Sequence, residues 1–269
     1  MTATVSIIIP TYNRAELLGE AVQSALAQTY AAREILVVDD GSTDQTPAAA
    51  ASFGAEIRYL QQANAGVETA RNAGVAAATG EYLYFLDSDD VLRPRAVERL
   101  VAVLEAHPSA GMVYGTAEEF DLSGHLMRLI TPPYSRPPGV WPGAEELAHL
   151  LLRSYIQTGA LLARRSVFEA VGGFRPVFGG MAEDWDLYAR MAGAADVGYI
   201  PDLLAIVRHQ PGGLTTRMDV ARAELYLSHF LRIHETALAT PGGQALSPSA
   251  RARADAFALY KRAHIAYAL

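Results

Sequence analysis

The first half of the chain alternates short, mainly apolar runs with segments in which apolar residues recur every three or four positions. Runs of this length without a polar face are typical of strands that are buried on both sides, and the intervening spacing is helical. The predicted strands are residues 5–9, 34–38, 57–60, 82–86 and 111–114. This alternation predicts an α/β fold with a mostly parallel sheet and helices on its faces.

Two local patterns predict where helices of this half begin and end. Asn13 followed by Glu16 has the spacing of a capping box, so we expect Asn13 to cap the first helix. Gly80 follows an alanine-rich segment and directly precedes the fourth strand. We therefore expect Gly80 to end the preceding helix in a left-handed conformation.

The pattern changes after residue 115. Residues 120–125 predict a hairpin, and the proline-rich stretch 131–139 excludes a regular helix or a central strand. The other predicted elements are helices near 144–152, from 183, at 217–236 and at 248–268, and strands at 160–163, 197–200 and 204–207. We divide the chain into residues 1–115, 116–215 and 216–269.

Composition and charge exclude several classes of partner and site. The 269 residues carry a formal charge of −7 and no cysteine, which argues against a nucleic-acid partner and leaves oxygen and imidazole as metal ligands. No run of about 18 apolar residues and no charged leader is present, so we predict a cytoplasmic protein without a transmembrane segment. The basic, partly apolar helix at 248–268 could contact the inner face of a membrane, although packing on its own domain is favoured.

Three carboxylates follow the fourth strand within four positions: Asp87, Asp89 and Asp90. Open α/β sheets bind ligands at the carboxyl ends of their strands, and like charges this close repel unless a cation neutralises them. Carboxylate oxygens suit Mg²⁺ or Mn²⁺. Capping of the next helix explains one of these acids but not three, so we predict a site for a ligand and a divalent metal.

Further polar groups follow the first two strands, on the same edge of the predicted sheet. They are Pro10, Thr11, Tyr12 and Asn13 after the first strand, and Asp39 and Asp40 after the second. An acid in this position can accept hydrogen bonds from a ribose hydroxyl or a base N–H, although each cluster alone is explained equally well as a turn. No acid lies four residues from Arg71, where Val67 and Val75 stand, which leaves its guanidinium available for an anionic or planar ligand, or for solvent.

Two candidates lie in the second half of the chain. Glu183, Asp184 and Trp185 begin a helix, where the helix dipole alone favours acids; the functional interpretation makes Asp184 a general base beside walls that enclose a substrate. His209 follows a strand and could bind a metal or face a phosphate. A lone histidine, however, is more often part of a hydrogen-bonded framework.

In order and spacing, six motifs resemble the inverting GT-A glycosyltransferases of family 2. They lie at residues 5–14, 37–44, 64–72, 86–90, 172–174 and 183–187, and the resemblance covers about residues 4–210. It implies a GT-A fold with a nucleotide-sugar-binding half at 1–115, a smaller mixed acceptor half at 116–215 and a helical extension at 216–269.

The resemblance also implies ligands and roles. The donor would be a nucleotide-diphospho-sugar, UDP- or dTDP-linked, and the acceptor a hydroxyl of a glycan or of a lipid-linked acceptor. Asp184 would be the catalytic base. The predicted donor contacts are Pro10, Thr11, Tyr12, Asn13, Asp39, Asp40, Arg71, Asp87 and Ser88; the ligands of Mn²⁺ or Mg²⁺ are Asp89 and His209; the walls of the acceptor site are Glu183 and Trp185.

Two alternatives stay open at this point. Residues 85–91 also fit a strand ending in D-x-D-x-V, which is typical of haloacid-dehalogenase phosphatases and would make Asp87 a phosphorylated nucleophile. That class expects the motif after the first strand and a later lysine, whereas here it follows the fourth strand and the only lysine is Lys261. The second alternative, an inactive nucleotide-sugar-binding module, is disfavoured by the acids at 89 and 184. Self-association is left open.

Overall fold

The structure, a computed structural model, describes residues 3–121, 123–134, 136–209 and 220–268. Within these ranges one sheet contains all the strands. They are β1 (Val5–Thr11), β2 (Arg33–Asp39), β3 (Arg58–Gln61), β4 (Tyr82–Phe85), β5 (Val91–Leu92), β6 (Ala110–Phe120), β7 (Leu126–Ile130), β8 (Gly139–Trp141), β9 (Leu161–Arg164) and β10 (Asp196–Arg208).

Helices cover both faces of this sheet. They are α1 (Leu18–Leu26), α2 (Thr46–Ala51), α3 (Val67–Ala77), α4 (Ala96–Ala106), α5 (Gly143–Leu150), α6 (Arg165–Ala170), α7 (Glu183–Ala192), α8 (Val220–Leu238), α9 (Pro241–Gln244) and α10 (Pro248–Ala268). On β4, Leu83 and Phe85 belong to the core beneath α3, α5 and α7, whereas Tyr82 and Tyr84 belong to the core beneath α1 and α4. Both faces are buried, which explains why the sequence of this strand is uniformly apolar.

The strand order is β3-β2-β1-β4-β9-β6-β10-β5, with β7 paired to β6 and β8 paired to β10. Strands β3, β2, β1 and β4 run parallel, as do β6 and β10, while β9 lies antiparallel between β4 and β6. The carboxyl ends of β1, β2 and β4 therefore meet at one edge, as the sequence predicts. The antiparallel pairing of β6 with β7 confirms the predicted hairpin.

Several predicted boundaries differ from the structure. The strands predicted at 197–200 and 204–207 form one strand, β10, whose register shifts between Tyr199 and Leu203. Strand β6 continues through residue 115, so the first predicted domain boundary falls inside it, and the division into three parts stays a prediction. Residues 217–219, the predicted start of the helix at 217–236, lie outside the described residues.

Both predictions about helix ends are wrong. Helix α1 begins at Leu18, and Asn13, with φ of 51°, accepts a hydrogen bond at Oδ1 from the Thr43 N–H at 2.8 Å. Asn13 therefore connects the end of β1 to the turn after β2. Gly80 does not have a positive φ; instead a Cβ on it would lie 2.5 Å from Ser6 Oγ. Glycine is needed there because the chain passes close to β1.

The C-terminal helices lie against the body of the protein. Ala250, Ala254 and Ala258, spaced one helical turn apart, are buried on one face of α10, and Phe257 lies edge-to-face against Phe230 of α8. The interpretation that α10 packs on its own domain is therefore supported. None of the helices in the described ranges is long and apolar enough to span a bilayer.

The contact between α3 and β1 gives a test of the fold. A Cβ on Gly74 of α3 would lie 2.4 Å from Ile8 Cγ2 of β1, whereas nothing lies within 4 Å of a Cβ on Gly19 of α1. We expect Gly74→Ala to lower the free energy of unfolding by about 1–3 kcal/mol through overpacking. Gly19→Ala should raise it by up to about 1 kcal/mol, because alanine is the better helix former. Urea denaturation measures both values, and equal stability of the two variants would contradict the close packing of α3 on β1.

Candidate active site

The acidic segment after β4 is a tight turn, closed by a hydrogen bond from the Asp90 N–H to the Asp87 carbonyl at 3.0 Å. The Asp87 side chain is 37% exposed and that of Asp89 is 22% exposed. Asp90 is buried, and its Oδ1 accepts a hydrogen bond from the Arg208 N–H at 3.0 Å. The turn thus presents two carboxylates to a ligand and uses the third to hold the end of β10.

Charge is concentrated in this turn. Burial, and then the Asp87 carboxylate, raise the pKa of Asp89. The pKa of Asp90 is raised well above its usual value by burial and by both neighbouring acids. Arg14, a residue that the sequence analysis did not single out, offsets part of this charge, since its Nε lies 3.6 Å from Asp89 Oδ2. A site of this kind favours an additional cation.

The ends of β1 and β2 contribute a hydroxyl and a carboxylate. Thr11 Oγ1 is buried and has no hydrogen-bond partner among the described residues. A buried hydroxyl without a partner is costly, so a bound ligand could satisfy it. Asp40 accepts hydrogen bonds from Gln62 Nε2 at 2.7 Å, the Ala65 N–H at 2.9 Å and the Gly66 N–H at 2.8 Å. Asp40 therefore fixes the loop that leads into α3.

Other predicted donor contacts take different positions. Asp39 is fully buried, and it accepts hydrogen bonds from the Ser42 N–H at 2.8 Å and the Tyr59 hydroxyl at 2.5 Å. These bonds stabilise the turn after β2, so the placement of Asp39 does not support the prediction that it binds the donor. Pro10 and Ser88 are buried, whereas the Tyr12 side chain is exposed at the edge of the sheet.

Arg71 joins the acidic turn after β4 to the start of α7. Its Nη2 donates to Asp87 Oδ1 at 2.7 Å, and its Nη1 donates to Glu183 Oε1 at 2.8 Å. The guanidinium, 3% exposed, also lies over the Phe174 ring at 5.0 Å from the centroid. The acids that pair with Arg71 follow β4 and begin α7, so neither stands four residues from Arg71 on its own helix.

Asp184 lies beside this ion pair, in the first turn of α7. Burial, and then the Glu183 carboxylate, raise the pKa of Asp184 to about 7, while the Trp185 N–H and Arg71 act in the opposite direction. Asp87 raises this pKa as well, so the Asp184 carboxylate is close enough to the acidic turn to interact with it. A carboxylate with a pKa near neutrality is suited to act as a general base.

Two predicted residues lie away from this cluster. Trp185 is 2% exposed; it donates from Nε1 to the Leu150 carbonyl at 2.7 Å and packs on Phe230. It is a core residue, so its placement does not support a role as a wall of the site. His209 Nδ1 lies 3.5 Å from Glu119 Oε1. In the described part of the chain no group of three or more His, Asp or Glu side chains is arranged to hold a metal, and the metal role of Asp89 and His209 stays a prediction.

The sequence analysis also missed the role of Asn72, the residue after Arg71. Its Nδ2 donates to the Phe174 carbonyl at 2.7 Å, and its Oδ1 accepts from the Phe174 N–H at 3.1 Å. These two bonds hold the turn at Gly172 and Gly173 against α3. A polar side chain on an otherwise alanine- and glycine-rich helix was the signal that could have identified it.

Residues 6–172, more than half of the chain, match the model of Glycosyl transferase family 2. The chain belongs to glycosyltransferase family 2. A relative, an uncharacterised glycosyltransferase of Rickettsia conorii, is 36% identical over 205 residues, which is 74% of this chain and 33% of the relative. The chain thus spans about a third of the length of that relative.

Solved structures show the same fold as this family 2 chain. S. aureus TarS 1–349 in complex with UDP aligns with a TM-score of 0.68 and 20% identity, over 95% of this chain and 69% of that chain. The complex of TarS 1–349 with UDP-GlcNAc aligns with a TM-score of 0.69 and 19% identity, over 95% and 70%. At this identity the likeness is one of fold, and it confirms the predicted α/β class with a mostly parallel sheet flanked by helices.

Removal of the Arg71 charge tests the ion pairs that join the acidic turn after β4 to the start of α7. Arg71→Met should lower the free energy of unfolding by about 3 kcal/mol or more, because it leaves Asp87 and Glu183 uncompensated. Arg58→Met removes a half-exposed arginine that pairs with Glu34, and it should cost less than about 1 kcal/mol. Urea denaturation at neutral pH measures both, and a small effect of Arg71→Met would contradict the joining role.

Proposed function

We propose that the protein transfers a sugar from a nucleotide-diphospho-sugar to an acceptor hydroxyl with inversion of configuration. The observation that carries this proposal is the position of Asp184, whose pKa is about 7, beside the Arg71 ion pair that reaches the acidic turn. Membership of family 2 supports the class of reaction. A base on one side and a diphosphate site on the other are what a single displacement requires.

Asp184 would remove the proton from the acceptor hydroxyl as its oxygen attacks the anomeric carbon. A bond forms between that oxygen and the carbon, while the bond to the diphosphate oxygen breaks and its electron pair stays with the diphosphate. Attack from the side opposite the leaving group inverts the configuration. Because Glu183 is held by Arg71, the first turn of α7 keeps a fixed position relative to Asp87.

For the donor we propose a UDP- or dTDP-sugar. The UDP and UDP-GlcNAc complexes of a protein with this fold support a uridine nucleotide as the first candidate. The unpartnered Thr11 hydroxyl and the exposed Tyr12 ring lie at the edge where the nucleoside would bind. Asp40, whose carboxylate holds the loop before α3, stays a predicted donor contact. The acceptor would be a hydroxyl of a glycan or of a lipid-linked acceptor.

Asp87 and Asp89 offer carboxylate oxygens, which fit Mg²⁺ or Mn²⁺, and the raised pKa of Asp89 fits a position that favours positive charge. We propose that Asp89 holds such an ion together with oxygens of the donor, with His209 as a second candidate ligand. When bound, the ion would neutralise charge on the leaving diphosphate. Arg14 Nε, at 3.6 Å from Asp89, places a further positive charge at the same point.

The base assignment predicts how activity depends on pH. Asp184 has to be deprotonated to accept a proton, so kcat/KM should fall about tenfold per unit below about pH 7 and level off above it. Asp184→Asn should lower kcat about 10²- to 10⁴-fold while UDP still binds. Initial rates of sugar transfer across pH 5–9 measure the first effect, and calorimetric titration with UDP measures the second.

Asp255→Asn, an exposed acid on α10, is the control for these rates and should behave as the wild type. Substantial transfer by Asp184→Asn, with the same dependence on pH, would overturn the assignment of the base.

The metal assignment predicts a conditional thermal shift. UDP at about 100 times its Kd should raise the Tm by about 5 °C or more, and only with Mn²⁺ or Mg²⁺ present. Asp89→Ala should abolish the shift, whereas Asp255→Ala should retain it. The Tm is measured with UDP, dTDP and GDP in the presence of each metal. A Tm shift in Asp89→Ala equal to that of the wild type would count against the metal site.

A further inference from the structure

The segment before α7, residues 178–182, has an unusual backbone. Gly179 has φ of 59°, Gly180 has φ of 72°, and Ala182 has φ of 69°. A residue with a Cβ rarely adopts a positive φ, so Ala182 persists there only if surrounding contacts hold it. Since this 178–182 segment leads directly into Glu183 and Asp184, its conformation sets the position of the first turn of α7.

Helix α3 provides one of these contacts through Glu68. The Glu68 side chain is 2% exposed, and its Oε1 accepts a hydrogen bond from the Gly180 N–H at 2.8 Å. The first turn of a helix favours an acidic side chain, so Glu68 is well placed there to accept a hydrogen bond from a backbone N–H. Glu68 precedes Arg71 by one turn on the same helix, so one rigid element holds both the 178–182 segment and Glu183.

Helix α8 provides a second contact through His229. Its Nδ1 donates to the Met181 carbonyl at 3.0 Å, and its ring lies edge-to-face on Phe178 at 4.9 Å between centroids. Burial lowers the pKa of His229, which keeps the imidazole neutral with its proton on Nδ1. The backbone of the segment is therefore held from two sides.

We propose that Glu68 is a positioning residue for Asp184, acting through its hydrogen bond to the Gly180 N–H. The proposal rests on the proposed function, because it takes Asp184 as the base; the hydrogen bond itself does not depend on that role. Without this bond the segment relaxes from its left-handed conformation and the first turn of α7 moves. A displacement of about 1 Å at a catalytic group costs on the order of 10²-fold in rate.

Four variants test the proposal by kcat, KM and dependence on pH. Glu68→Ala should lower kcat about 10- to 100-fold, while the donor KM should change by less than about threefold. Because water would then reach Asp184 and lower its pKa, the fall of kcat/KM at acid pH should begin at a lower pH than in the wild type. Glu68→Gln keeps an oxygen acceptor and should retain kcat within about threefold. Glu68→Asp keeps the charge but is about 1.5 Å shorter, so it should resemble Glu68→Ala. Glu145→Ala removes an exposed first-turn acid of α5 and should behave as the wild type.

Amide hydrogen exchange at Gly180 measures how well its hydrogen bond to Glu68 protects the N–H, and it needs no assay of sugar transfer. We expect exchange at least about tenfold faster in Glu68→Ala and Glu68→Asp, and unchanged in Glu68→Gln and Glu145→Ala. A wild-type kcat in Glu68→Ala, or an equal loss in Glu68→Gln, would overturn the positioning role. If the wild type transfers no sugar, the proposed function fails. The inference about Glu68 fails separately if amide exchange at Gly180 is the same in Glu68→Ala and Glu68→Asp as in the wild type.

Discussion

The guanidinium of Arg71 lies between Asp87, after β4, and Glu183, at the start of α7. Two carboxylates held this close in a poorly solvated place would repel each other, so the positive charge between them sets their separation. Since Arg71 is almost completely buried, solvent and salt screen this attraction only weakly. The proposed base is the neighbour of Glu183, and it therefore keeps a fixed relation to the acidic turn where the diphosphate would bind.

Helix α3, which carries Arg71, also fixes the positions of several loops. The Asp40 carboxylate fixes the loop that enters the helix, and Asn72 holds the turn before Phe174. Glu68 reaches the segment before α7. Loops that start far apart in the chain are thus aligned by one helix, which is itself fixed on β1 by the close approach of Gly74 to Ile8. A rigid element of this kind can position loop residues more accurately than the loops could position each other.

The sequence predicted β1, β2, β4 and β6 well because these strands are mainly buried on both faces, and uniform apolar runs indicate that burial directly. Asp87, Asp89 and Asp184 were predicted as site residues from their motifs. Asp39 and Asp40, however, are adjacent acids of the same kind, and only their partners distinguish them: Tyr59 and Ser42 occupy Asp39, whereas Asp40 holds a loop. Glu68 lies 112 residues from Gly180, and no local pattern announces a bond over that distance. The burial of Trp185 could not be predicted, because an aromatic ring beside an acid fits a core as well as a cleft.

Strand β9 lies antiparallel between β4 and β6, although it follows both of them in the chain. During synthesis the motifs that follow β1, β2 and β4 leave the ribosome before the strand that completes their sheet. Until β9 arrives, β4 has an open edge of unpaired amide groups beside apolar side chains, which invites pairing with other chains. The part of the chain from β1 to β4 is therefore not a module that could be excised or transplanted alone, since β4 depends on a neighbour encoded much later.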